Sequence, residues 1–351
     1  MDKKSRSLHL DTARGFAILF VIIHHSFNIF TNSWSSPVEI PHVLGYEIIA
    51  KLFSSFDLSL LILISGYIFA IQYGKLDERK FSYKEFINKK IKRLLIPAFV
   101  FGILYCFFLG LKESVFFELY KILNGYGHLW YLVMIFWVFV FAFFLNSFAQ
   151  AMHKRSILFC FVIFSIASLG FFLPKFFQVA RAFTYLPIFY WGYFLYYKGE
   201  FVISYVEKNY VRVFMLFIGY FILYFILDNY FANAIEINAF EKYSFERFAI
   251  SYLSWINRIV INFIGTTFFF VFFKYISSKY WMYSDFFRSM NFYSFGVYLI
   301  HQIVMMFLIW ETGIMTHLSP FLLPFILFVS SISLSMVLTV FIKKTKYAKY
   351  I

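Results

Sequence analysis

The chain alternates between long apolar runs and short polar, basic connections. A membrane span needs about 20 mostly apolar residues. Ten segments approach that length: 11–31, 52–73, 94–111, 129–147, 156–173, 182–198, 211–228, 252–274, 292–310 and 320–342. The fifth and sixth are separated only by "PKFFQVARAF", where Pro174 acts as a breaker. An outer-membrane barrel would instead show alternating segments of about ten residues. The pattern predicts an all-α, polytopic integral membrane protein of about ten transmembrane helices. It forms one domain over residues 1–351, with no repeat, no low-complexity segment and no soluble accessory domain.

Composition fixes the solvent. The chain is 62% hydrophobic, 25% aromatic and 14% charged, against about 45–50% apolar and about 25% charged in soluble domains. A core in water has no room for 55 Phe residues. The net charge of +14 raises nucleic acid as a partner, but the basic residues sit between apolar runs, as in cytoplasmic loops of membrane proteins. With the N-terminus inside, 24 of the 32 Lys and Arg residues fall on that side. Both termini are therefore expected in the cytoplasm. Cys106 and Cys160 lie in apolar runs and read as small hydrophobes rather than a disulfide framework. The basic, then apolar N-terminus imitates a signal peptide. Its run is too long and no small-residue cleavage site follows, so it reads as a retained first helix. The longest cytoplasmic connection, Gly74 to Arg93, is basic and expected to be partly helical on the membrane surface. The longest external one, Asn229 to Ser251, mixes aromatics with Glu236, Glu241 and Glu246.

Ionisable residues inside the apolar runs are the candidate chemistry, because such groups are costly in lipid and usually face a cavity or a partner. In "TARGFAILFVIIHHSF", Arg14 and His25 are eleven residues apart. At about 100° per residue they fall within about 20° of one helix face, and about 16 Å apart along the axis. His25 then lies near mid-membrane, where an imidazole can give or take a proton. His24 faces elsewhere and reads as a packing residue or supporting partner. "LISGYIF" sets Ser65 and Gly66 in the second span, a pattern that by itself favours helix packing. Lys90 and Arg93, three apart in "NKKIKRLLIPAF", are either inside-positive anchors or a phosphate clamp on one face. "GHLWYL" places His128 before Trp130 and Tyr131, as in an aromatic interface belt. "SFGVYLIHQ" puts Tyr298 and His301 three apart, deep in the ninth span. No metal-ligand spacing, phosphate loop or hydrolase elbow is present in the sequence.

In order along the chain, "LDTARGFAILFVIIHHSF", "LISGYIFA", "KKIKRLLIPAF", "GHLWYL", "YLPIFYWGYFLY" and "YSFGVYLIH" resemble the acyltransferase family 3 membrane proteins. These are bacterial enzymes that modify envelope and exported glycans. The resemblance runs from Leu10 to the tenth span. The family's basic residue, ten residues, histidine pattern falls on Arg14 and His25. Its Arg-x-x-Arg pair falls on Lys90 and Arg93, with lysine at the first position weakening any bidentate contact. Its commoner Ser-Gly-Phe is Ser-Gly-Tyr here. What the resemblance implies is transfer of an acyl group, usually acetyl, from cytoplasmic acyl-CoA to a sugar hydroxyl of a glycan or lipid-linked saccharide in the bacterial inner membrane. Acyl-CoA is a co-substrate, and no cofactor is permanently bound. Arg14, Lys90 and Arg93 would hold its phosphates, with His25 as general base or acyl carrier. Ser65, His128, Tyr298 and His301 are further candidates for oxyanion or substrate contacts. Trp34 and the external glutamates are a candidate sugar platform. The competing class is a proton-coupled exporter or flippase, which mid-membrane histidines also suit. No duplicated half, a feature of many transporters, is evident.

Overall fold

The computed structural model describes residues 3–31, 34, 36–73, 82–109, 114–152, 155–237, 244–279 and 285–345. The regular structure among them is helical throughout. In chain order the helices are α1 (Lys3–Phe27), α2 (Leu44–Ser54), α3 (Asp57–Tyr73), α4 (Tyr83–Lys90), α5 (Ile96–Leu109), α6 (Val115–Asn124), α7 (Trp130–Phe144) and α8 (Asn146–Met152). They continue with α9 (Ser156–Ser168), α10 (Val179–Lys198), α11 (Glu200–Lys208), α12 (Tyr210–Ile237), α13 (Phe245–Ser277), α14 (Asp285–Glu311), α15 (Ile314–His317) and α16 (Leu323–Lys343). Serines start several of them. Ser82 accepts from the Glu85 N–H at 3.4 Å, and Ser244 from the Arg247 N–H at 3.2 Å. Each such bond satisfies one of the donors that a helix start leaves open.

Eight helical stretches among the described residues are long and apolar enough to cross a membrane: Leu8–Phe30, Leu44–Tyr73, Tyr83–Phe108, Gly127–Phe144, Tyr210–Ile235, Phe245–Ser277, Arg288–Glu311 and Leu323–Lys343. The other two expected spans correspond to a shorter apolar stretch, Ile157–Phe171, and to the Tyr-rich α10, which carries Pro187. Large apolar side chains face outward, among them Phe107, Ile157, Val211 and Phe341. Lipid is the solvent that suits such a surface. Cys106 and Cys160 are free thiols.

Several boundaries move. The third span begins at Tyr83 rather than at 94, so the basic stretch is the first part of that helix and not a separate surface segment. Residues 74–81 lie outside the described residues. Between α4 and α5, Ile91–Leu95 is wound as a π-helix. α12 and α13 reach well into the expected external loop. Glu241 and the side chain of Glu236 lie outside the described residues.

α1 is the central helix, packed against α2, α3, α13, α14 and α16. It runs parallel to α14. Gly15 lies against Asn291, and ten residues further along both helices His25 meets His301. A parallel pair crosses a membrane in the same direction, so an odd number of spans lies between them. α9 and α10 therefore cross together or not at all. α10 packs along α3, and two glycines make this possible. A Cβ at Gly66 would overlap the Phe189 carbonyl oxygen, and one at Gly192 would overlap that of Leu63. Small-residue contact is the way helices approach closely in lipid.

Candidate active site

His25 arrives at the centre of the bundle on α1, 8% exposed. Its Nδ1 is 2.8 Å from Nε2 of His301 on α14, and the two rings stack with centroids 5.1 Å apart. Nδ1 of His301 is in turn 2.7 Å from the Tyr298 carbonyl oxygen. The tautomers follow from the partners. A carbonyl only accepts, so His301 carries its hydrogen on Nδ1. In a neutral ring Nε2 then accepts, so His25 donates from Nδ1. The lone pair of His25 is thus on Nε2, which no described residue engages.

His128 joins from a third segment. Gly125 and Gly127 have φ of +82° and +53°, a left-handed backbone that favours glycine. The short turn Gly127–Leu129 then hands His128 to the interior ahead of α7. His128 Nε2 donates to the Tyr298 carbonyl at 2.6 Å. The Tyr298 hydroxyl returns a bond to the His128 carbonyl at 2.8 Å. Gln302 Oε1 accepts from the His128 backbone N–H at 2.7 Å and lies 2.7 Å from Nδ1. Tyr105 OH is 3.2 Å from the same nitrogen. The rings of His128 and His301 are 4.6 Å apart. An interface belt is therefore the wrong picture for "GHLWYL", because both His128 and Tyr131 are buried. The paired glycines were the available signal, since they mark a turn that can lead a side chain inward.

Not every candidate joins the cluster. Ser65 is half-buried and gives its hydrogen to the Leu61 carbonyl of its own helix at 2.8 Å. Tyr298 has likewise committed its hydroxyl hydrogen. Neither has a hydrogen left for an oxyanion in this arrangement. Trp34 does reach the site, its ring 5.4 Å from that of His25.

The basic candidates gather at the N-terminal end of α1. Arg14 pairs with Asp11 at 2.8 Å. Its Nε is buried and has no described partner, as is true of Thr12 Oγ1 and Asn291 Oδ1 beside it. Such orphaned groups each cost about 1–3 kcal/mol unless a ligand or water answers them. Arg93 interacts electrostatically with Arg14 and with Lys90, and Lys343 of α16 with Arg14. Arg93 lies within the π-turn Ile91–Leu95 that follows Lys90. Arg93 is exposed, whereas the Lys90 ammonium sits 3.3 Å above the Phe139 ring, a cation–π contact worth about 0.5–2 kcal/mol.

Of packing residue and supporting partner, the structure gives His24 a polar contact, because its Nδ1 bonds Oδ2 of Asp57 at 3.0 Å, and Asp57 is a residue that the sequence did not single out. Asp57 is 1% exposed at the start of α3. Its signal was a lone carboxylate opening the apolar run "DLSLLILISGY", but its partner is 33 residues away. Among the described residues no group of three His, Cys, Asp or Glu is arranged to hold a metal ion.

Apolar helices around a buried, hydrogen-bonded imidazole cluster make this a multi-pass membrane protein with a polar centre. Residues 8–340 match the family model of the acyltransferase domain, acyltransferase family 3, and the chain belongs to that family. It is a membrane acyltransferase. No curated protein and no solved structure gives a significant match.

Proposed function

We propose that the protein is a membrane-bound O-acyltransferase moving an acyl group, acetyl in the first instance, from cytoplasmic acyl-CoA to a sugar hydroxyl of a cell-surface or exported glycan. The observation that carries this reading is the hydrogen-bond chain Tyr298–His301–His25, which leaves the His25 Nε2 lone pair open in the middle of the bundle. In this reading all ten apolar segments span a bacterial inner membrane, with α9 and α10 crossing as a pair and both termini inside. The Arg14 end of α1 then faces the cytoplasm, where acyl-CoA is found.

The donor's phosphates lie against Arg14 and Arg93, with Lys343 adding to the field. The unpartnered Nε of Arg14 supports this. Lys90 contributes charge but little contact, since its ammonium is held over Phe139. At the centre, the partners that His25 has among the described residues are neutral, and no carboxylate is among them to stabilise an imidazolium. The open lone pair on Nε2 can bond to carbon as well as take a proton, and here it is assigned the role of nucleophile. Nε2 bonds to the acyl carbon as the carbon–sulfur bond breaks, so that His25 becomes an N-acylimidazolium with its hydrogen still on Nδ1, while the thiolate leaves with the pair and is protonated from the cytoplasm.

Arg93→Ala is expected to raise the apparent KM for acetyl-CoA about tenfold with little change in kcat, the sign of lost uniform binding. Lys90→Met should change it less than about threefold. Initial rates with membranes bearing each variant measure both, and equal effects would return Lys90 to the donor site. The function itself is tested with isotope-labelled acetyl-CoA and membranes containing the protein. Label in glycan supports the transferase, whereas glycan transport without label supports the exporter.

A further inference from the structure

A cavity of about 240 Å³, room for roughly eight waters, opens between α1, α2, α10, α12 and α13. It lies toward the C-terminal end of α1, away from Arg14. His24 lines it. We propose that this cavity holds the acceptor, a neutral, hydroxyl-rich saccharide unit, and that His24 with Asp57 takes the proton from its reacting hydroxyl. This rests on the acyltransferase reading above.

The lining points to the ligand class. Asn28, Tyr185 and Asn262 bring amides and a hydroxyl to a space inside an otherwise apolar bundle, where Ser54, which donates to the Lys51 carbonyl, and Tyr224, which bonds Arg258, add oxygens that can still accept. The charged groups at the cavity balance one another. Lys51 lies 3.5 Å from both Asp228 and Glu47, and Arg258 lies 3.7 Å from Asp228. No cation is left over to select an anion, while neutral donors and acceptors suit the hydroxyls of a sugar. Lipid tails or an apolar molecule would leave these groups unanswered, at a cost of about 1–3 kcal/mol each.

The same cavity explains the paired histidines. They follow each other on a helix, so they point about 100° apart, yet their ring centroids are only 5.0 Å from each other. One faces the cluster with His301, the other the cavity. Asp57 is a carboxylate, so His24 carries its hydrogen on Nδ1 and presents the Nε2 lone pair to the cavity. The buried carboxylate stabilises the imidazolium that forms when Nε2 takes a proton. His25 has no such partner. Different surroundings thus give two neighbouring imidazoles different tasks. The acceptor O–H bond breaks and its proton goes to His24 Nε2. The oxygen bonds to the acyl carbon, and the carbon–nitrogen pair returns to His25 Nε2. His24 then releases the proton to water in the cavity. That proton offsets the one gained by the thiol in the first step.

The two halves can be read separately in the full-length protein. Purified protein in proteoliposomes is given radiolabelled acetyl-CoA, first alone and then with envelope glycan extracted from cells lacking the gene. The wild type should show label on protein alone, and then label passing to glycan. His24→Gly should keep protein labelling within about twofold and lose transfer by about 100-fold or more. Added imidazole should restore part of the transfer, which a purely structural role for His24 would not allow. Ser54→Trp, at an exposed position on the cavity wall, should lower transfer about tenfold without touching protein labelling. It keeps the test open if His24→Gly does not fold. Transfer by His24→Gly above a tenth of wild type would overturn the inference, and so would loss of protein labelling in a folded His24→Gly. Absence of label from both protein and glycan in the wild type would instead sink the acyltransferase reading.

Discussion

His25→Ala should abolish acyl transfer, with a loss of about 10³-fold or more in kcat, equivalent to roughly 4 kcal/mol of barrier. In the proposed mechanism the acyl group is carried by the lone pair on His25 Nε2, which no described residue engages. His24 lies close, but its ring is committed to Asp57 and to the cavity. His301 lies closer still, but its Nδ1 hydrogen is tied to Tyr298 and its Nε2 accepts from His25. The substitution also strands His301 Nε2, at about 1–3 kcal/mol, so melting in detergent has to accompany the assay. His301→Ala is the informative companion. It leaves the His25 ring in place and removes the partner that fixes its tautomer, so its loss should be smaller than that of His25→Ala. Radiolabel on the protein after acetyl-CoA alone reads the first half-reaction directly. Retained labelling or retained transfer in a folded His25→Ala protein would remove His25 from the mechanism.

Gly66→Val is expected to have the largest effect on stability, at least about 3 kcal/mol. The added Cβ would overlap the Phe189 carbonyl oxygen, a backbone atom with no rotamer to yield. The reciprocal contact, Gly192 against the Leu63 carbonyl, lies on the same seam. Relief would have to come from separating α3 and α10 as bodies. That separation would move Asp57, the first residue of α3, away from His24. Size-exclusion chromatography in detergent should show loss of the monodisperse peak, and the apparent melting temperature should fall. A protein that melts as the wild type does would show that the helices part without cost. Gly219 is the control, because a Cβ there meets no atom within 4 Å. Gly219→Ala should leave melting unchanged within error.

Much of this architecture was legible from hydrophobic periodicity. Apolar run length identified the helices, because lipid leaves a backbone no hydrogen-bond partner but itself. Where the reading slipped, local signals and helix continuity disagreed. The basic residues before Leu94 marked a boundary in charge, yet Tyr83 to Leu95 continues as helix, since Lys and Arg are good helix formers. The Tyr-rich α10, the sixth apolar run of the sequence, is long enough to span but is not among the eight stretches that are also apolar enough. Among the candidates, spacing alone separated His25 from His24. It brought His301 and Tyr298 onto one helix because three residues make about one turn.

The sequence by itself determined the class of solvent, the helical fold and the alignment of Arg14 with His25 on one face of α1. These depend on composition and on the period of a single helix, and both are local. Only the tertiary structure decided which helix each histidine meets. His25 reaches His301, 276 residues away, and His24 reaches Asp57, 33 residues away. A hydrogen bond to a distant helix is set by the crossing of two cylinders, and no spacing along one chain segment encodes it. By spacing alone His24 is a packing residue or a supporting partner that faces away from His25. The folded chain instead gives it a carboxylate and a cavity of its own.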